Sequence, residues 1–381
     1  MGKKIIYISD FDWTGSGYAT LSIPLLKGLA GLGHEIKAIG IGYQGQEHDY
    51  PFSIIPTQNV QDGVALAGNL NVLWKPDLFI VALDIPLQNF FQSNLKPYNR
   101  KYIGITPLEN GPLTMSWSVI LMGMDGVFLI SELGKQEAIK AGVVKAEHLQ
   151  IGIDLQQWRT PTSDERSTLR KGLGIAENEF VVLTVADNQE RKNLSAGIEA
   201  IAKTKELINR PIKYILVTRK DSPFGWKFPD LPAYFGVHKE VQVFERGLPL
   251  KDLWGLYAVA DVYLQPSKAE GLGLPVMDAM ACGVPVVATD TGALHELLQD
   301  RRGYLVPSAF SFIDVWGNSR RDMVDVQLCA ATLRGIADNV YPDAEVKNAL
   351  DYIHTRTWDI AVNQVDKKIE ELFDEQTKPT Q

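Results

Sequence analysis

Glu270-Gly-Leu-Gly-Leu-Pro-Val-Met-Asp278-Ala-Met-Ala-Cys-Gly-Val-Pro-Val-Val-Ala-Thr289 joins an acidic residue, a glycine turn, a helix start and an apolar strand in one short run. Pro275 suits the first turn of a helix, where its missing N–H costs nothing. Gly271 and Gly273 let the backbone bend sharply and approach a ligand closely. The amides of this turn then face a crevice, with the positive end of a helix dipole behind them. Residues 276–281 read as a short helix that Gly283 stops, and Pro285-Val-Val-Ala288 reads as a buried strand. Glu270 precedes the helix and Asp278 lies about one turn inside it, so both carboxylates border one small polar site.

Strand and helix alternate through the rest of the chain. In the first half, Ile5-Ile-Tyr-Ile8 is a strand, 18–32 a helix ending at Gly33, and Ile36-Lys-Ala-Ile39 the next strand. Further strands are expected at 77–82, 101–105 and 126–130, the last leading into a helix over 132–141. Such alternation implies parallel sheets covered on both faces. Residues 154–174 are charged and turn-rich, break the pattern, and read as the linker. A second series follows: strand 179–185, helix 194–206, strands 214–217 and 241–244, helix 250–259 and strand 262–264, then the 270–289 run. Two doubly wound domains facing one another form a ligand cleft at the carboxyl ends of their strands. The closing stretch 358–373 carries apolar residues at helical spacing, and the polar tail after Phe373 is expected to be mobile.

At 381 residues the chain suits two α/β domains, and its 45% hydrophobic content is that of a folded protein. A net charge of −8 argues against nucleic acid and weakens any electrostatic hold on anionic lipid. Cys282 and Cys329 offer neither metal spacing nor a disulfide framework, and read as buried thiols of a reducing compartment. The basic-then-apolar opening stops at Asp10, and the apolar stretch 117–130 is interrupted by Asp125. Neither resembles a signal peptide or a span of about 20 residues, so cytoplasmic residence with at most peripheral membrane contact is expected.

The 270–289 run, with Gln265-Pro-Ser267 before it, resembles the donor-site signature of retaining nucleotide-sugar glycosyltransferases of the GT-B fold, family four (glycosyl transferases group 1). That signature is two acidic residues with seven between them, around a Gly-Xaa-Gly turn. The resemblance implies two facing Rossmann-like domains: 1–157, completed by a C-terminal helix at 358–381 that crosses back, and 158–357, which binds the nucleotide sugar. It implies that Glu270 contacts the transferred sugar. Asp278, where the family usually has Glu, holds the ribose hydroxyls, and Gly271, Leu272, Gly273 and Leu274 line the donor. Ala186-Asp-Asn-Gln-Glu-Arg-Lys-Asn193 resembles the loop that supplies Arg and Lys to the diphosphate. Lys192 matches the Lys, but the Arg position falls on Asp187. An acid there repels a diphosphate, so either Arg191 substitutes or Asp187 turns away.

The leaving diphosphate gathers negative charge, which calls for cations or oriented amides beside it. Arg191 and Lys192 are the catalytic candidates with Glu270. On the first domain, Gly15-Ser-Gly17 opens a helix after the first strand and resembles the family's first-loop glycine pair, whose amides meet a phosphate. Arg246, in Glu245-Arg-Gly247, follows a strand where relatives let backbone atoms meet the base. Arg219 and Lys220 are expected in solvent. Asp84 and Glu109 end apolar strands, and the turn-rich Thr106-Pro-Leu-Glu-Asn-Gly-Pro112 suits an acceptor-facing loop. No hard-metal ligand cluster appears, and no cofactor is implied beyond the nucleotide diphosphate sugar itself.

The expected activity is transfer of a hexose from a UDP- or GDP-sugar to a hydroxyl of a glycan, lipid-linked or small-molecule acceptor, with retention. A sugar-nucleotide-binding protein without transferase activity is the first rival reading, supported by the departures at Asp187 and Asp278. A phosphorylase or an epimerase on the same fold is the second. A nicotinamide enzyme is disfavoured, because neither half has the full glycine fingerprint with its downstream acid.

Overall fold

The apolar runs assemble into two parallel sheets in the computed structural model, which describes residues 2–223, 225–340 and 344–374. The tail from residue 375 lies outside the described residues. In chain order the first sheet opens with β1 (Lys4–Asp10), α1 (Gly17–Gly31), β2 (Glu35–Ile41), β3 (Ser53–Thr57) and α2 (Val60–Trp74). It continues with β4 (Leu78–Ala82), α3 (Ile85–Leu95), β5 (Lys101–Thr106), α4 (Met115–Met122), β6 (Gly126–Leu129), α5 (Glu132–Lys140) and β7 (Ala146–His148). The second series is α6 (Ser163–Gly172), β8 (Phe180–Val185), α7 (Leu194–Leu207), β9 (Ile212–Thr218), α8 (Asp230–Tyr234), β10 (Val241–Glu245) and α9 (Leu250–Val259). Then come β11 (Val262–Gln265), α10 (Leu274–Ala281), β12 (Val286–Thr289), α11 (Gly292–Leu298) and β13 (Tyr304–Val306). The hairpin β14 (Ser308–Ile313) and β15 (Arg320–Val324) and helices α12 (Val326–Ala337), α13 (Ala344–Ile353) and α14 (Trp358–Asp374) close the chain.

The seven-stranded sheet runs β3-β2-β1-β4-β5-β6-β7 and the six-stranded one β10-β9-β8-β11-β12-β13, every pair parallel. Both are doubly wound, with strand order reversing at β1/β4 in one and β8/β11 in the other. Each reversal parts two strand–helix loops and opens a crevice at the strand carboxyl ends. The central strands are buried on both faces, as their unbroken apolar runs require: Ile5, Ile6, Tyr7 and Ile8 are inaccessible, as are Val181, Val182 and Leu183.

The chain divides into two compact units. Unit 1 is Met1–Gly152, Trp316–Ser319 and Arg356–Gln381; unit 2 is Ile153–Val315 and Arg320–Thr355. The divisions fall at 152/153 and 355/356, against 157/158 and 357/358 expected from the sequence. Within unit 1, Arg356 Nε donates to Ile151 O at 3.2 Å. Gly152 packs so tightly that a Cβ would meet Trp358 N at 2.5 Å. Helix α14 lies on α1, where Gly28 leaves room for Val362, and His34 pairs with Asp366 at 2.8 Å.

The expected linker at 154–174 is a correction. It holds α6, started by a capping box in which Thr162 and Glu165 satisfy each other's backbone amides. Its charges are structural: Arg166 donates to the carbonyls of Ala258 and Ala260 at 2.7 and 2.8 Å, and Arg170 to Val259 O at 3.0 Å. These guanidiniums satisfy the carboxyl end of α9, the place where a helix dipole favours cations. Both cysteines are buried as expected, and burial pushes the Cys329 thiol up to about 12. Among the described residues no helix is long and apolar enough to cross a membrane.

Candidate functional site

At the carboxyl end of the second sheet, the loops after β8 and β11 bring together residues almost eighty positions apart. After β8, a single 3-10 turn, Glu190–Lys192, carries Arg191 and Lys192 to the crevice. After β11, Gln265, Ser267 and Glu270 line the opposite side. Glu270, only 5% exposed, accepts from Lys192 Nζ at 2.7 and 2.9 Å and from Arg191 Nη1 at 2.8 Å. Ser267 Oγ and Gln265 Nε2 donate to the same carboxylate at 2.7 and 3.0 Å. Tyr263 in turn donates to Gln265 Oε1 at 2.7 Å and fixes the amide's orientation. Arg191 also donates to Ala269 O at 2.7 Å, so both cations are held rather than free to wander.

Burial alone would push the Glu270 carboxyl up. Lys192 and Arg191 outweigh it and hold the group at about 2. A carboxylate that receives five hydrogen bonds and binds protons so weakly is a poor nucleophile and a poor base. Its evident work is to fix two partly exposed cations in one place. Glu270, Lys192 and Arg191 together carry one negative and two positive charges, a local balance that favours an anion nearby.

The glycine turn adjoins this cluster. Gly273 takes φ +99°, a left-handed value that a side chain resists, and a Cβ there would meet Leu294 at 3.1 Å. Among the described residues, the amides of Gly271, Leu272 and Gly273 enter none of the backbone hydrogen bonds outside helices and strands. They precede α10, with Leu274 and Pro275 opening its first turn. Asp278, half-buried one turn on, lies near Tyr257, Tyr263 and Cys282. Burial pushes its carboxyl well above the usual carboxylate range.

Asp187, the departure from the diphosphate loop, is compensated. Arg219 grips it in a fork at 3.2 and 3.1 Å, and Arg246 stands 3.8 Å away. Arg219, expected in solvent, is therefore a charge partner for Asp187, and the repulsion inferred from sequence is neutralised. Arg246 sits beside Asp187 on the strand-end side of the same crevice. Two features carry no sequence signal of their own. Lys268 is buried and paired with Glu190, which ties the two loops together. Asp322 on β15 accepts from Thr291 Oγ1 at 2.7 Å and donates its amide to Lys268 O at 2.9 Å, bracing the loop from behind. Gln265-Pro-Ser267 was the one sequence signal for the anchors of Glu270.

In unit 1, the switch-point loops place Gly15, Ser16 and Gly17 after β1 and Asp84 after β4. Ser16 caps α1 by accepting from Tyr18 N at 3.2 Å. The amides of Gly15 and Ser16 donate to Asp12 O at 3.4 and 3.1 Å. Two of the three amides expected to meet a phosphate thus donate within their own loop in this structure. Tyr18 donates to Asp84 Oδ1 at 2.8 Å, and burial, with Asp84, Glu109 and Asp10 nearby, pushes its phenol well up. Asp84 and Glu109 line one cleft, so the two acceptor candidates do come together. Among the described residues no three His, Cys, Asp or Glu side chains gather in a way that could hold a metal ion.

Residues 165–311 match the family described as Glycosyl transferases group 1. The GDP-mannose-dependent alpha-(1-6)-phosphatidylinositol monomannoside mannosyltransferase of Mycolicibacterium smegmatis is 32% identical over 161 residues, 40% of this chain and 41% of that relative. The chain thus spans about half or less of the length of the curated relatives it matches. Among solved structures, the sucrose-phosphate synthase of Thermosynechococcus elongatus matches with a TM-score of 0.76 at 19% identity, over 98% of this chain and 100% of that one. Anabaena HepE, solved in complex with UDP and glucose, matches at 0.74 and 18%, over 97% and 100%. Two doubly wound parallel sheets and the 165–311 match lead to one conclusion: the chain has the fold of GT-B glycosyltransferases and carries a glycosyl transferases group 1 domain.

Proposed function

We propose that the protein transfers a hexose from a nucleotide diphosphate sugar to a hydroxyl acceptor, with retention at the anomeric carbon. The observation that carries the reading is the cluster in which Glu270 fixes Lys192 and Arg191 beside the Gly271–Gly273 amides. Breaking the bond between the anomeric carbon and a diphosphate oxygen leaves charge on that oxygen. Cations and amides already in place stabilise it without reorganisation. The acceptor hydroxyl approaches the same face of the sugar, and its proton passes to the departing phosphate oxygen. Glu270, held at about 2 and saturated with donors, suits this route better than a covalent glycosyl intermediate. Its part is to position the two cations and border the sugar. Asp278 receives the ribose hydroxyls, and a cytoplasmic setting fits the two buried thiols. Relatives named for mannosyl and glucosyl transfer support a hexose donor.

The test pairs binding with turnover. UDP- and GDP-hexoses are titrated against the full chain by calorimetry, and nucleotide release is followed with a panel of hydroxyl acceptors. Acceptor-dependent release with a retained linkage supports the proposal. Tight donor binding with no release under any acceptor supports a binding protein instead. Recovery of an epimerised donor supports an epimerase, and sugar phosphate formed from a glucan supports a phosphorylase.

A further inference from the structure

A shallow, open cleft of unit 1 is lined by Asp84 and Glu109 together with two indoles, Trp117 and Trp316, and by Pro86 and Ser319. Trp316 is 49% exposed, a large aromatic surface left in water. It is nevertheless held in place. Its ring meets Trp117 edge-on, with centroids 6.0 Å apart and planes at 74°. The chain then turns through Gly317 and Asn318, at φ +64° and +49°, and a Cβ on Gly317 would meet the Trp117 ring at 2.3 Å. The glycine therefore fixes where the indole pair can sit. The same lining carries groups that accept hydrogen bonds: Asp84, oriented by the Tyr18 hydroxyl at 2.8 Å, and Glu109.

A flat, rigid aromatic face beside paired carboxylates matches one kind of ligand closely. A pyranose presents C–H groups on one face and hydroxyl donors around its rim. An indole covers the first at low entropic cost, and carboxylates take the second. An acyclic polyol has the hydroxyls but no face to stack. We infer that Trp316, with Trp117, Asp84 and Glu109, forms a pyranose-binding subsite, so that the acceptor of this protein is itself a sugar. The inference rests on the transferase reading for the word acceptor; the sugar subsite stands on the cleft alone.

The experiment uses the full chain and saturation-transfer NMR with the methyl α-glycosides of glucose, mannose and galactose, with glycerol as the polyol without a ring. UDP and GDP are titrated against the same samples. At least one pyranoside should show saturation strongest on its ring C–H protons, while glycerol shows none. Trp316→Ala should weaken that pyranoside about three- to tenfold, the range of one aromatic contact. Trp316→Phe should recover part of the loss, and nucleotide affinity should not move. Trp316 lies at the surface, so its truncation leaves the core intact. Pyranosides that bind no better than glycerol, or as well to Trp316→Ala as to the unaltered chain, overturn the subsite. Intact pyranoside binding in a chain that binds no nucleotide upholds the subsite and removes the transferase reading instead.

Discussion

Replacing Glu270 with Gln keeps the side-chain shape and removes the charge on which Arg191 and Lys192 depend. The amide would offer N–H groups toward one of the two cations, which already donate at 2.7 to 2.9 Å. Two routes give the magnitude. A carboxyl held at about 2 in place of its ordinary 4.5 corresponds to roughly 3 kcal/mol of stability at neutral pH. Removing one partner of a buried ion pair costs about 3–5 kcal/mol. Because the two cations keep some solvent contact, the lower figure is the better guide, about 6–12 °C in Tm for a unit of this size. The sign in pH follows from the lowered value. The stabilisation is fully present above the unfolded carboxyl's 4.5 and is lost as pH falls through about 2. Thermal melts of both chains at pH 7 and down to pH 3 check this: the gap should be wide at pH 7 and narrow on acidification. Turnover should fall by at least about a hundredfold, since the cations lose their fixed positions. A Glu270→Gln chain that melts with or above the unaltered one at pH 7 would refute the positioning role.

The remaining expectations concern the same crevice. On the proposed ribose role, Asp278→Asn should raise the donor dissociation constant about ten- to a hundredfold while leaving turnover at saturation nearly unchanged, because such a contact acts in ground and transition states alike. Since burial raises this carboxyl, ionising it opposes folding, so Asp278→Asn should also melt higher at neutral pH, with the gain vanishing below the unfolded carboxyl's range. Calorimetry and melts across pH test both halves. Asp187→Arg should lower Tm by a few degrees and bring no gain in activity, because it breaks the Arg219 fork and crowds three guanidiniums; a faster enzyme would contradict that. Transfer should persist in excess EDTA, with Lys192, Arg191 and the amides stabilising the diphosphate; activity that returns only with Mg²⁺ or Mn²⁺ would contradict it.

Sequence carried the sheets and the glycine turn of residues 270–275 because their signals are local. Apolar runs such as Val181-Val-Leu183 have one stable setting between two helix layers, and a Gly-Xaa-Gly turn before Pro275 reads as strand–turn–helix without tertiary information. Helix α6 was lost because its residues are mostly polar; its helical nature lies in the Thr162–Glu165 box and in arginines reaching another helix. The hairpin β14–β15 was lost because its solvent-facing Phe310 and Ile313 follow no buried pattern. Charge partners were least legible. Arg219 reaches Asp187 from the end of a neighbouring parallel strand, a pairing fixed by strand order and invisible in spacing. The amides of Gly15 and Ser16 donate within their own loop, a detail that a glycine pair after a strand does not disclose.

The central claim is that Lys192 and Arg191, positioned by Glu270, receive the diphosphate. Calorimetric titration of UDP and GDP in EDTA, against the unaltered chain, Lys192→Ala and Arg191→Ala, tests it most directly. Each variant keeps one cation beside Glu270, so neither leaves the buried carboxylate uncompensated. At least one nucleotide should bind the unaltered chain. Each variant should weaken it by about ten- to a hundredfold, the scale of a hydrogen bond to a charged group. Undiminished affinity in both variants would place the diphosphate elsewhere and contradict the account.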